Sequence, residues 1–135
     1  MSGLALELLP GRYAVCRLGP AAPWPAWAEG PGLVSLTRSE AELSVVCPQE
    51  RAPAEVTGRR GWRALRVAGV LDLGLVGIMA GLLAPLAAAG VSVLTLATHD
   101  TDYLLVGERD LCRALAALAG AGHRVAPVPA AQLTE

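Results

Sequence analysis

A short polar segment interrupts two apolar runs in the C-terminal half of the chain. Residues 91–97 and 103–106 have the composition of buried strands, and the segment between them, residues 98–102, reads THDTD. A carboxylate at a strand end can bind an ammonium group, and neighbouring hydroxyls can complete a polar pocket. Asp100 and Asp102 could also act as an acid–base pair, but no nucleophile, orienting group or metal ligand accompanies them. The segment therefore favours ligand binding over catalysis.

Three side chains of this segment, Thr98, Thr101 and Asp102, are predicted to line a pocket between a sheet edge and the start of a helix. In this interpretation Asp102 binds the ammonium group of a ligand. The alternative is a structural β-turn, with Asp100 and Thr101 at turn positions and Asp102 bonded to backbone N–H groups. The sequence leaves both interpretations open.

A second candidate site lies where a predicted strand leads into a helix, in the segment VLDLGLVGIM of residues 70–79. Gly74 and Gly77 allow the backbone to approach a ligand, and the first turn of a helix offers unpaired N–H groups to a carboxylate. Alternatively, these glycines serve only a tight turn and close helix–sheet packing. A helix start for a carboxylate and an aspartate for an amine together describe an α-amino acid better than a sugar or a nucleotide.

The elements that must position these residues follow from hydrophobic periodicity. A strand is predicted at residues 63–68, with Leu65 and Val67 on one face. A helix follows and ends near Gly90, and Pro85 is expected to kink its last turn. One apolar stripe runs along this helix and consists of Leu75, Ile78, Met79, Leu82, Leu83 and Leu86.

The remaining elements complete an α+β unit. Strands are predicted at residues 91–97 and 103–106, a second helix begins near residue 108 and ends at Gly120, and a strand closes the unit at residues 123–128. The buried stripe of the second helix is predicted to consist of Leu111, Ala114, Leu115 and Leu118. The order β-α-β-β-α-β is that of a ferredoxin-like unit spanning residues 62–128.

The N-terminal half is predicted to be rich in short strands. Residues 4–8 and 12–18 flank a Pro-Gly turn and read as one hairpin, and residues 33–47 read as another. The Pro-rich segment between them has room for one helical turn near residues 24–28. Because this half lacks a long helix, we expect it to pack against the C-terminal unit.

Composition excludes several classes of protein. The 135 residues carry a net charge of −1 without a basic stripe, so no nucleic-acid partner is expected. Walker, GxSxG and HExxH motifs are absent, and His99 and His123 lack metal-ligand spacing, so no cofactor or metal is predicted. The three widely spaced cysteines predict reduced thiols and a cytoplasmic protein. The N-terminus lacks the pattern of a signal peptide, and the apolar run 67–97 is too interrupted to predict a membrane span.

Longer segments carry a family resemblance. Two segments resemble bacterial ACT-domain proteins related to the CASTOR-type arginine sensors. They are GLVSLTRSEAELSVVC, from residue 32, and VLDLGLVGIMAGLLAPLAAAGVSVLTLATHDTDYLLVGERDL, from residue 70. The resemblance implies a degenerate, strand-rich ACT-like unit at residues 1–60 and an ACT domain at residues 61–130. It also implies a non-enzymatic regulatory protein that binds a free amino acid between two ACT units.

The resemblance further implies where the ligand binds. Ser92 and Val93 match the strand positions of the family site, and Leu75 stands where a carboxylate would bind a guanidinium, so a small or apolar amino acid is as consistent as arginine. The residues and the resemblance together predict ligand contacts at Leu75, Val76, Gly77, Ile78, Ser92, Val93, Thr98, Thr101 and Asp102.

The chain carries only one half of such a site, so a homodimer is expected to complete it. One face of the ferredoxin-like sheet is covered by helices, and apolar edges left open elsewhere also favour association with two-fold symmetry. The alternative function is a structural or interaction module that has kept the fold and lost the ligand.

Overall fold

Eight strands and two α-helices occur in residues 3–71 and 76–128, the part of the chain that the computed structural model describes. The strands are β1 (Ala5–Leu8), β2 (Tyr13–Leu18), β3 (Ser35–Arg38), β4 (Leu43–Pro48), β5 (Gly58–Val67), β6 (Val93–Ala97), β7 (Asp102–Gly107) and β8 (Arg124–Pro127). The helices are α1 (Ile78–Ala88) and α2 (Leu111–Gly120). The predicted α+β class and the order β-α-β-β-α-β from β5 to β8 are therefore confirmed.

One compact unit contains the two helices and comprises residues 3–10, 63–71 and 76–128. Its strands lie in the order β8-β1-β5-β7-β6. Strands β6 and β7 form an antiparallel hairpin in which Val93 pairs with Val106 and Ala97 with Asp102. This hairpin sets the positions of the polar segment that begins the site.

The apolar faces of the strands and the apolar stripes of the helices pack together into one hydrophobic core. Ile78, Met79 and Leu83 of the predicted α1 stripe are half-buried against this core, whereas Leu75 lies outside the described residues. The fully buried members are Leu6, Leu65, Val67, Leu82, Leu86, Val91, Leu104, Val106, Ala114 and Leu118. The predicted faces of β5, α1 and α2 are thus confirmed in the described part of the chain.

The predicted hairpin between residues 4–8 and 12–18 is wrong. Strand β1 instead pairs antiparallel with β5, where Leu6 lies opposite Val67, and parallel with β8. Strand β2 pairs with β4 and with the beginning of β5. The physical reason is that this placement buries Leu6 in the core and gives β8 a partner for its backbone groups. The division at residue 60 into two domains stays a prediction, and residues 3–10 group with the helical unit.

The other compact unit comprises residues 11–62 and has no α-helix. The predicted hairpin of residues 33–47 is confirmed, because β3 and β4 pair antiparallel with Ser35 opposite Val46. The Pro-rich segment contains a 3-10 turn at Ala26–Ala28, and Arg51 donates hydrogen bonds to the carbonyls of Ala28 and Pro31. The core of this unit consists of Ala14, Cys16, Ala28, Leu43, Val45 and Cys47.

None of the helices in the described residues has the length and apolar character needed to cross a membrane.

Two of the three cysteines are buried on one face of the β2–β4 pair. Cys16 lies opposite Val45, and Ala14 lies opposite Cys47. Burial and, to a smaller extent, the neighbouring Cys16 raise the pKa of the Cys47 thiol to about 11. Burial also raises the pKa of Cys16, while Arg60 lowers it. Because thiols react as thiolates, these two side chains are protected from alkylation, whereas Cys112 is exposed on α2.

We expect iodoacetamide at pH 8 to modify one thiol per native chain and three in urea, as measured by intact mass. The buried thiols stay protonated at that pH, and only Cys112 is accessible to the reagent. Cys112→Ser is the control and should abolish labelling of the native chain. Rapid native labelling of Cys47 would show that the β2–β4 face is open.

Candidate functional site

The polar segment forms a tight turn between β6 and β7. Thr98 N–H donates to the Thr101 carbonyl at 2.9 Å, and the Thr98 hydroxyl donates to the same carbonyl at 3.1 Å. In return, Thr101 N–H donates to the Thr98 hydroxyl oxygen at 3.3 Å. His99 and Asp100 occupy the exposed tip, with 2.9 Å between His99 Nδ1 and Asp100 Oδ1. The predicted β-turn is therefore present, and the Thr98 hydroxyl is used within it.

The turn is fixed to the end of β5 and to the segment that follows it. Thr101 is only 6% exposed, and its hydroxyl donates to the Val67 carbonyl at 2.7 Å. Leu71 N–H donates to the Asp100 carbonyl at 2.7 Å. These bonds bring the connection from β5 towards α1 to the same end of the sheet as the polar segment.

Helix α1 begins with unprotected amides. Gly77 precedes it with φ of 82°, a left-handed conformation that favours glycine, and no side chain caps the helix. Gly81 N–H donates to the Gly77 carbonyl at 3.0 Å, whereas the amides before Gly81 have no acceptor within the helix. Val76 is 90% exposed beside them. Of the residues predicted to act in this segment, Gly74 and Leu75 lie outside the described residues.

Asp102 begins β7 and is half-buried opposite Ala97. Its carboxylate has no hydrogen-bond or ion-pair partner among the described residues. Among the described residues no backbone N–H group binds this carboxylate, and both interpretations of Asp102 stay predictions. An unpaired anionic group next to a rigid turn can accept hydrogen bonds from an ammonium group.

The predicted strand residues lie elsewhere. Ser92 and Val93 are at the beginning of β6, where Val93 pairs with Val106, and the turn is at its other end. Ala97 is four residue steps along the extended strand from Val93, a distance of about 13 Å. The structure thus places Ser92 and Val93 apart from the turn, and it describes Val76, Gly77 and Ile78 at the beginning of α1. Their roles in binding stay predictions.

The charged side chain of Arg66 on β5 is already paired with a carboxylate of the same chain. Arg66 Nε donates to Glu7 Oε1 at 2.8 Å, on the face opposite Leu65 and Val67. Burial lowers the pKa of Arg66, but hydrogen bonds to Glu7 and Tyr103 raise it above its ordinary value. Since Arg66 is bonded to Glu7, the α1 amides are the better hydrogen-bond donors for a ligand carboxylate. No group of three or more His, Cys, Asp or Glu side chains within residues 3–71 and 76–128 is placed to hold a metal ion.

Sequence reasoning missed His123, which it considered only as a metal ligand. The ring is 6% exposed, Nδ1 accepts from Leu4 N–H at 3.0 Å, and Nε2 lies 3.0 Å from the Gly81 carbonyl in the second turn of α1. A signal was available in the sequence, because Pro85 cannot donate to the carbonyl four residues before it.

Comparison with family models divides the chain in two parts. The model described as the ACT domain matches residues 57–120. A second model, described as an N-terminal domain, matches residues 11–55. No curated protein sequence matches the chain. The predicted relation to CASTOR-type sensors and the tandem ACT-like arrangement stay predictions.

Several solved structures are similar. Protein Atu0741 from Agobacterium tumefaciens is 35% identical, with a TM-score of 0.89, and the alignment covers 96% of this chain and 97% of that one. VC0802 from Vibrio cholerae, described as a possible transport protein of unknown function, is 23% identical, with a TM-score of 0.73 and coverage of 89% and 91%. The ligand-free regulatory subunit of aspartate kinase from Thermus thermophilus is 15% identical, with a TM-score of 0.58 and coverage of 89% and 97%. The last two show likeness of fold alone.

We expect Thr101→Val to lower the free energy of unfolding by about 1–3 kcal/mol, measured by urea denaturation. The substitution keeps the shape of the side chain but leaves the Val67 carbonyl without its 2.7 Å donor. Thr95→Val, at an exposed position of β6, is the matched control and should change stability by less than about 0.5 kcal/mol. Equal stability of both variants would show that the buried bond does not hold the turn.

Proposed function

Because the chain belongs to the same family as Atu0741 and carries an ACT domain, we propose that it is a non-enzymatic regulatory protein that binds a free amino acid. The observation that carries the proposal is the Asp102 carboxylate, which has no partner among the described residues and lies beside the turn that Thr101 fixes to the end of β5. The fold is shared with a regulatory subunit of aspartate kinase, which supports a regulatory role.

The two ends of an α-amino acid find complementary groups here. The ammonium group donates to the Asp102 carboxylate, an interaction stronger than a neutral hydrogen bond because both partners are charged. The carboxylate accepts from the uncapped amides that open α1, where the helix dipole also favours negative charge. The exposed Val76 beside these amides offers an apolar surface. A small or apolar side chain therefore suits the site better than a charged one.

A second copy of the chain completes the proposed site. Ser92 and Val93 lie about 13 Å from the turn along β6, too far for one amino acid to contact both ends of the strand. If both groups contact the ligand, they belong to different chains of a homodimer. In the described part of the chain β6 pairs only with β7, which leaves its outer edge open to such a partner.

Regulation would act through the arrangement of the two copies. A ligand that contacts both chains binds one arrangement more tightly than another, and only that difference in affinity can shift the equilibrium between them. The buried thiols of Cys16 and Cys47 are in keeping with a reducing compartment, and we place the protein in the cytoplasm.

We expect at least one small or apolar amino acid to raise the melting temperature of the protein, increasingly with concentration, because it binds only the folded state. In a thermal-shift screen of the standard amino acids, Asp102→Asn should weaken that effect by at least ~10-fold in apparent Kd, since it removes the charge that binds the ammonium group. Asp100→Asn, at the exposed tip of the same turn, is the matched control and should behave like the wild type.

The outcomes separate the two functions. A dimer that responds to no amino acid would favour an interaction module that has lost its ligand. Normal binding by a folded Asp102→Asn variant would contradict the role of Asp102, and a monomer that still binds would contradict the shared site. Circular dichroism of each variant tests folding in the same samples.

A further inference from the structure

Pro85 leaves a carbonyl without its donor inside α1. The helix runs from Ile78 to Ala88, and in a regular helix the N–H of residue 85 would donate to the carbonyl of Gly81. Proline has no N–H, so the Gly81 carbonyl lacks its helical partner. A carbonyl shielded from water needs another donor, and a bound side chain can supply one.

His123 supplies that donor. Its Nε2 lies 3.0 Å from the Gly81 oxygen, and its Nδ1 lies 3.0 Å from the backbone nitrogen of Leu4. Because Leu4 N–H is a donor, Nδ1 must accept, and the single ring proton is on Nε2. The arrangement therefore requires the neutral imidazole in one tautomer. Both ring nitrogens are satisfied, which accounts for a histidine that is 6% exposed.

The ring joins three parts of the unit that are distant in sequence. Leu4 precedes β1, Gly81 is in the second turn of α1, and His123 precedes β8. A close backbone approach supports the junction, because a Cβ added to Gly3 would lie 1.8 Å from the Gly122 carbonyl oxygen. Glycine at position 3 is therefore needed for Leu4 to reach the imidazole.

We infer that His123 is a positioning residue for the amino-terminal turns of α1, and that it makes amino-acid affinity depend on protonation of its ring. The inference rests on the proposed function, because those turns provide the amides that bind the ligand carboxylate. A proton on Nδ1 would direct a second N–H at the Leu4 N–H. Two donors cannot bond, so the junction opens and the start of α1 loses its fixed position.

Other titratable groups around the ring do not explain such an effect. Helix α1 carries no titratable side chain, and Glu7 of β1 is bonded to Arg66. Arg113 of α2 is paired with Asp110 at 2.8 Å, and Cys112 lies exposed in the first turn of that helix. Arg124 of β8 is exposed. The other histidine, His99, is at the exposed turn tip, so pH experiments use a His99→Gln background.

The first experiment needs no ligand. Amide exchange is followed by NMR at pH 8, with Ala89 N–H at the other end of α1 as the internal reference. We expect the protection of Gly81 N–H to fall at least five-fold in His123→Leu relative to that reference. His123→Gln keeps one donor and one acceptor and should restore most of the protection. Pro85→Ala returns a helical donor to the Gly81 carbonyl, so the loss caused by His123→Leu should shrink in that background. Additive effects of the two substitutions would overturn the proposed bond.

Gly3→Ala tests the same junction with the imidazole intact, and it serves where His123→Leu does not fold. It should lower protection at Leu4 and Gly81, whereas Gly120→Ala, where an added Cβ meets nothing within 4 Å, should not. The same measurement is then made at pH 8 and pH 6, with amide exchange corrected for its intrinsic pH dependence. In His99→Gln, the protection of the Leu4 and Gly81 amides should be lower at pH 6 than at pH 8. In the double variant His99→Gln/His123→Gln it should stay constant. Equal pH dependence in both proteins would overturn the role of the ring proton.

A titration with L-valine as the probe links the junction to the site. We expect the apparent Kd in His99→Gln to rise at least three-fold from pH 8 to pH 6, and the His123→Gln form to show no such rise. If exchange follows the prediction but L-valine binds without pH dependence, His123 does not position the site. If exchange follows it and no amino acid binds, the proposed function fails while the junction at α1 stands.

Discussion

The pairing of β1 on both of its edges is the constraint on which the helical unit depends. Strand β8 has four residues, and within the described chain its backbone groups pair only with β1, which pairs in turn with β5. Backbone groups in a sheet that are cut off from water require partners, so the placement of β1 decides whether β8 can close the unit. Leu6 adds a buried side chain to the core at the same place. Residues 3–10 are therefore part of the compact unit that contains the two helices.

The need of backbone carbonyls for hydrogen-bond donors also explains how the turn and α1 are held in place. Val67 is the last residue of β5, and its carbonyl accepts a hydrogen bond from the Thr101 hydroxyl. The carbonyl of Asp100 is satisfied by Leu71, and that of Gly81 by His123. Each bond joins segments at least 29 residues apart in sequence. The turn and the beginning of α1 are therefore positioned by these bonds in addition to packing.

Hydrophobic periodicity predicted the elements of the helical unit because it is a local signal. Leu65 and Val67, or Leu82 and Leu86, reveal their buried face through spacing alone. The partner of β1 could not be predicted in this way, because alternation identifies which face of a strand is buried and not which strand lies beside it. Pro10 and Gly11 suggested a reversal that the competing pairing with β5 and β8 prevents. The role of His123 depends on two distant backbone atoms, and only the position of Pro85 hinted at one of them.

The separation of the predicted site residues has a consequence for any ligand-linked change in assembly. Asp102 and Val93 are at opposite ends of one hairpin whose register fixes their spacing, so no motion of side chains alone brings them to one small molecule. Contacts from both ends therefore require two chains, and two-fold symmetry would then create two equivalent sites. Each would take its charged groups from one chain and its strand start from the other. In the proposed dimer, ligand occupancy and association would be linked by mass action, since each bound amino acid would add contacts that a single chain cannot make.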